Sequence, residues 1–198
     1  MNLSIKTLCV ILMTSCLSAL PVAAQTATTT ADIDKLPFKD RLEYFQSGVA
    51  AGIDGIARKS RAVDARPAVV GETVVSIIAG EGIETTSPPA AAGDWVVRNR
   101  CPETGNEEIL VTAAKFPTRY GEAQTKPDAD GYMEFIPTGA PMKYFIVPNA
   151  DGEFAIEAPW GEKQIFRPGD AIVQVMDDPN DTYRVQKQAF ACTYEVIK

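Results

Sequence analysis

The chain has 198 residues, a formal net charge of −7 and no histidine, with 19 Lys and Arg against 26 Asp and Glu. An acidic surface repels nucleic acid, whose binding rests on neutralising phosphates with Lys and Arg, so nucleic acid is excluded as a partner. The missing imidazole removes the commonest neutral-pH general base, the Ser-His-Asp and Cys-His arrangements and the commonest metal ligand.

The N-terminus follows the order of a secretory signal: an n-region ending in Lys6, an apolar stretch from Leu8 to Leu20, then Pro21-Val22-Ala23-Ala24 before Gln25. That order predicts a signal peptide over residues 1–24, cleaved after Ala24, and a periplasmic or secreted protein. The apolar stretch is shorter than the about 20 residues that span a bilayer, and no later segment is apolar for that long, so no transmembrane segment is expected. A lipoprotein anchored at Cys16 is the alternative, because Thr14-Ser15-Cys16 resembles the end of a lipobox, although Met13 fits it poorly. Cleavage at Ala24 leaves 174 residues (198 − 24), removes Lys6 and takes the formal charge from −7 to −8.

Residues 25–35, rich in Thr and Ala, read as a flexible leader. Asp40 followed by Glu43 has the form of a capping box, and Leu42, Phe45, Val49, Ile53 and Ile56 then recur three and four residues apart. This spacing predicts one amphipathic helix within residues 36–61, running to about Lys59. Gly48, Gly52 and Gly55 each cost it about 1 kcal/mol relative to Ala, so it must dock to be stable.

From Ala65 onward, short β-branched and aromatic runs are broken by Gly, Pro, Asp and Asn, the texture of a mainly β protein. Expected strands are Ala68 to Val70, Thr73 to Ile78, Trp95 to Arg98, Glu108 to Thr112, Tyr132 to Ile136, Tyr144 to Val147, Glu153 to Glu157, Ala171 to Val175 and Thr182 to Gln186. Asp151-Gly152, between two apolar runs, carries a hairpin signal.

Two stretches follow one script. Gly93-Asp94 leads into Trp95-Val96-Val97, a turn with Gly105-Asn106, a strand at Ile109-Leu110-Val111, then Phe116 and Tyr120. Gly169-Asp170 leads likewise into Ala171-Ile172-Val173, the turn Asp177 to Asp181, the strand Tyr183-Arg184-Val185, then Phe190 and Tyr194. The offset is 76 residues at the Asp pair (170 − 94) and 74 at the tyrosines (194 − 120). Gly permits the turn and Asp bonds nearby amides, so Gly93, Asp94, Gly169 and Asp170 are expected to be structural turn residues. The expected architecture is two related small β domains, barrel- or roll-like, over residues 62–121 and 122–198. Pro168-Gly169-Asp170-Ala171-Ile172-Val173 through Thr193-Tyr194-Glu195 resembles the PGDYG family of small bacterial domains; the first copy departs from it at Ala92 and Gly121. The resemblance implies a compact β domain and carries no functional residue.

Cys101 and Cys192 outlast cleavage, and two cysteines in an oxidising compartment predict one disulfide, with two buried free thiols as the alternative. It would close a loop of about 90 residues, worth roughly 4 to 5 kcal/mol in the chain-entropy model. Two cysteines cannot form a Cys-only zinc site, and phosphate-cradling glycine motifs are missing, so no metal and no cofactor are expected. Asp128-Ala129-Asp130-Gly131 resembles part of an EF-hand loop, but Lys126 and Pro137 occupy its end positions. Paired carboxylates are the remaining catalytic option, with Asp94 and Asp170 as the obvious pair. Trp160, in Pro159-Trp160-Gly161, is the candidate ligand contact. The composition and motifs favour an exported non-catalytic structural or interaction module, partnered by an envelope protein or envelope component. The alternative is a carboxylate-based hydrolase acting on an envelope polymer.

Overall fold

The computed structural model describes residues 33–198. The expected signal peptide and its expected cleavage point, Cys16 and most of the expected leader therefore lie outside the described residues. The described chain is mainly β, with fourteen strands, and none of its helices is long and apolar enough to cross a membrane.

Helix α1 spans Arg41–Ala50. The Asp40 carboxylate accepts from the backbone N–H groups of Leu42 and Glu43, both at 2.9 Å, satisfying two amides that the first helical turn leaves without partners. The helix ends well before Lys59. Gly52 takes a φ of 69°, which costs glycine little, and the chain leaves as strand β1 (Gly55–Lys59). Pairing on both edges outweighs continued helix here: β1 lies between strands near residues 141–144 and 194–196, and Ile56 also bonds the backbone of Ile197 and Lys198.

Strands β2 (Val63–Pro67), β5 (Trp95–Asn99), β6 (Glu108–Val111), β7 (Tyr120–Ala123) and β8 (Met133–Pro137) form one sheet in the order β6-β5-β2-β8-β7. Strands β9 (Pro141–Ile146), β12 (Ala171–Val175), β13 (Asp178–Val185) and β14 (Tyr194–Val196) join β1 in a second, ordered β13-β12-β9-β1-β14. Two-stranded hairpins, β3 (Val75–Ile78) with β4 (Gly82–Thr86) and β10 (Phe154–Glu157) with β11 (Lys163–Phe166), interrupt the two sheets. Short helices α2 (Phe116–Arg119) and α3 (Lys187–Thr193) precede β7 and β14.

The two five-stranded sheets correspond strand for strand when β1 stands where β8 stands. Trp95 lies opposite Pro67 and Val111, and Ala171 lies opposite Ile146 and Val185. Val63 pairs with Phe135 as Met142 pairs with Ala57, and Tyr120 with Pro137 as Tyr194 with Lys59. The first sheet thus runs on through Pro137, beyond the boundary expected at residue 121. The second takes its fourth strand from the segment expected to be helix. The script covers two strands and the closing tyrosine of each copy, and nothing in it signals the other strands that complete each five-stranded sheet. The stretch Ala68 to Val70 is loop, and Asp151-Gly152 closes a short 3-10 turn between β9 and β10, which belong to different sheets, so no hairpin forms there.

Each sheet buries a matching cluster. Val63, Ala65, Val97, Val111, Phe116, Tyr120 and Phe135 pack in the first; Met142, Tyr144, Val173, Val185, Phe190, Tyr194 and Ala57 hold the same register positions in the second. Phe116 to Tyr120 and Phe190 to Tyr194 have ring centroids 5.0 Å apart in both. Trp95 is packed rather than free, stacked on Phe116 at 4.2 Å. A third cluster is unmatched: α1 sets Tyr44 and Phe45 against Phe145, Phe154, Ile156, Phe166 and Ile172.

Candidate functional site

The two glycine-aspartate corners have the same construction up to a point. Gly93 and Gly169 adopt φ of 87° and 93°, where a side chain would be strained. Asp94 accepts from the amides of Ala91 and Ala113, each at 2.8 Å. Asp170 accepts from those of Arg167 at 2.9 Å and Lys187 at 3.0 Å. Both carboxylates are buried, and each ties the turn before its strand to the chain leaving the neighbouring strand.

Asp170 alone takes a further partner, Arg184, whose Nε donates to it at 2.7 Å. The Arg184 guanidinium, 2% exposed, also donates to Glu84 and Glu81 on the first half's hairpin, both at 2.8 Å. Glu81 is further bound by Arg167 at 2.7 Å and Gln186 at 2.8 Å. Burial would raise the Glu81 carboxyl, but Arg184, Gln186 and Arg167 outweigh it and hold it below the usual range. Glu84 is pushed up by burial, against the pull of Arg184.

Acids therefore do converge, though not as the pair expected. Asp94 stands outside the group, and the three acids that meet surround a buried cation. An open cleft of about 310 Å³ is lined by Glu81, Arg167, Asp170, Gln186 and Lys187 among others. Acid–base catalysis by two carboxylates needs one that can give a proton to substrate. Glu84, the carboxyl that burial raises, does not line the cleft, while the oxygens of Asp170 and Glu81 are held by arginines and amides. A second polar recess, about 410 Å³, is lined by Asp64, Arg98 and Arg100, with Arg100 paired to Asp64 at 2.7 Å and to Glu134 at 2.9 Å.

Trp160 is 37% exposed, and its indole Nε1 donates to Thr85 Oγ1 at 3.1 Å, fastening the turn after β10 to strand β4. Its ring lies 6.4 Å from that of Tyr183, so one side is packed. Nearby, Val75, Ile77 and Ile83 on the β3–β4 hairpin are 41%, 56% and 63% exposed.

Cys101 and Cys192 are free thiols in this structure, so the expected disulfide is not formed. They nevertheless approach each other. Cys101 starts the 3-10 turn Pro102–Thr104 after β5, and Cys192 sits on α3. The Glu103 carboxylate reaches between them, its Oε2 at 3.4 Å from Cys101 Sγ and 3.5 Å from Cys192 Sγ. The three ligand atoms lie within 4.8 Å of one another, and Arg61 is 3.4 Å from the Cys192 sulfur. Burial and the neighbouring Cys101 push the Cys192 thiol up to about 12, while backbone and thiol hydrogen bonds hold the Glu103 carboxyl below its usual range.

Sequence reading found the corners and the two cysteines, but missed Glu81, Glu84, Glu103 and Arg184. Only Arg184 left a signal, an arginine set between Tyr183 and Val185 in the strand that the second script shares with Ile109-Leu110-Val111, where a buried charge demands partners. No family model matches the chain, and no curated protein or solved structure matches it significantly.

Proposed function

We propose that this chain is an exported, non-catalytic interaction module of the cell envelope, a tandem pair of PGDYG-like units that binds another envelope protein through its first hairpin. The observation that carries the reading is the uncovered apolar face of β3–β4. Val75 and Ile77 are exposed there, whereas Phe154 and Ile156, in the opening strand of the other hairpin, are buried beneath α1. An apolar hairpin face left open beside a covered equivalent suits docking of a partner element, and Trp160 stands at its edge. In the oxidising compartment that the signal peptide implies, Cys101 and Cys192 would pass two electrons and two protons to a disulfide-exchange oxidant and join the two halves.

The test uses a photoreactive cross-linker placed at Ile77 or Ile83 in the native chain in intact cells, with Lys126 as a control. One discrete adduct from the hairpin sites, missing from the control, is expected. Equal labelling at all three positions would remove the docking claim. Mass measurement of the mature protein tests export: a chain beginning at Gln25 is expected, and one retaining Met1 would sink it. A polymer-degrading activity of the parent that is lost in the folded Glu81→Gln variant, whose carboxylate lines the cleft, would favour the hydrolase instead.

A further inference from the structure

We propose that, in the reduced chain, Cys101, Cys192 and Glu103 form a binding site for one thiophilic divalent cation such as Zn²⁺. The argument starts from geometry. In a tetrahedral zinc centre, with Zn–S of about 2.3 Å and Zn–O of about 2.1 Å, a sulfur and an oxygen ligand are separated by about 3.6 Å. Glu103 Oε2 lies 3.4 Å and 3.5 Å from the two sulfurs, close to two edges of such a tetrahedron. All three donor atoms fall within 4.8 Å of one another without rearrangement of the backbone.

The carboxylate separates this set from a plain crosslink. A disulfide would leave Glu103 with no thiol proton to accept, whereas a cation uses all three donors. Charge points the same way. Two thiolates and a carboxylate give a divalent cation a surplus of one negative charge, and Arg61, 3.4 Å from the Cys192 sulfur, offsets it. The donors come from separate elements, the turn after β5 and helix α3, so the bound ion would also link the two sheets. Three protein ligands leave a fourth position for water, on the side where Glu103 is exposed.

Cation binding and disulfide formation are alternative fates of one thiol pair, so the test begins with reduced, metal-free protein in which two thiols per chain are counted. Co²⁺ is the probe, because its bond to thiolate produces a charge-transfer absorption. One equivalent of Co²⁺ should develop that band, and Zn²⁺ should displace it. The band should vanish in Cys192→Ser, and Glu103→Gln should weaken binding by about tenfold or more. Affinity should rise with pH, since both thiol protons must leave. Two titratable thiols with no cobalt band would overturn the site, as would a band indifferent to Glu103→Gln. Neither result touches the docking claim, which the cross-linking reads separately.

Discussion

The two five-stranded sheets share strand order, register and inner cluster, yet their outer faces are finished in different ways. On the second, Phe145 and Ile172 lie opposite each other and receive α1 through Tyr44 and Phe45. On the first, the corresponding pair is Arg66 and Val96. There Arg66 is bound by Glu72, while Tyr132 lies under the guanidinium of Arg98 at 4.1 Å and donates to Glu108. One scaffold therefore accepts either an aromatic helix or a salt-bridged polar cover. Backbone pairing sets the register, and the outer positions are free to vary because no strand hydrogen bond depends on them.

The corners offer the sharpest way to break this correspondence. Asp94→Ala leaves the amides of Ala91 and Ala113 without an acceptor, a loss of about 2 kcal/mol in denaturant unfolding. Asp170→Ala loses two equivalent bonds and also leaves a buried arginine short of a counter-ion, for about 5 kcal/mol in total. Equal losses from the two variants would mean that Arg184 is satisfied by Glu81 and Glu84 alone. The next largest contrast lies on the outer faces. Phe145→Ala should cost about 3–5 kcal/mol, because Tyr44, Phe45 and Phe154 pack around a cavity that cannot close. Arg66→Ala, at the matching position, should cost under about 1 kcal/mol.

These contrasts also explain what could be read from sequence. Gly-Asp followed by an apolar run is a local instruction, written in adjacent residues, and both corners were legible for that reason. The N-cap at Asp40 was legible on the same ground. Strand β1 was not, because Ile53 and Ile56 fit a helical stripe as well as an extended strand, and only partners some 90 and 140 residues away decide between them. Glu103 was invisible as a ligand candidate because its neighbour on α3 is 89 residues distant. Side chains that meet only through tertiary pairing carry no spacing signature.

Gly48 tests how closely the unmatched helix must approach. A Cβ at that position would lie 2.4 Å from a Phe145 ring carbon, a distance that forces the helix or the ring to move. Gly48→Ala should therefore lose about 1–3 kcal/mol despite the better helix propensity of alanine. Combining it with Phe145→Leu, which removes the obstructing ring edge, should recover part of the loss. A Gly48→Ala variant as stable as the parent would mean that α1 is held loosely, and that the second sheet differs less from the first than its packing suggests.

The smallest effect belongs to the polar cover of the first sheet. Both guanidinium nitrogens of Arg66 contact Glu72, and the Val69 amide donates to the same carboxylate at 2.9 Å. These bonds hold the Glu72 carboxyl at about 2, down from 4.5. Because the folded value is depressed, its stabilisation is complete above 4.5 and disappears as pH falls toward 2. Solvent screens the pair, so Glu72→Gln should lower stability near neutrality by only about 0–1 kcal/mol. Unfolding curves of parent and variant should then converge across that acidic interval. A gap that stayed constant down to the lower value would mean that Glu72 acts through packing against the loop at Val69 rather than through its charge, and the first sheet's outer face would owe little to electrostatics.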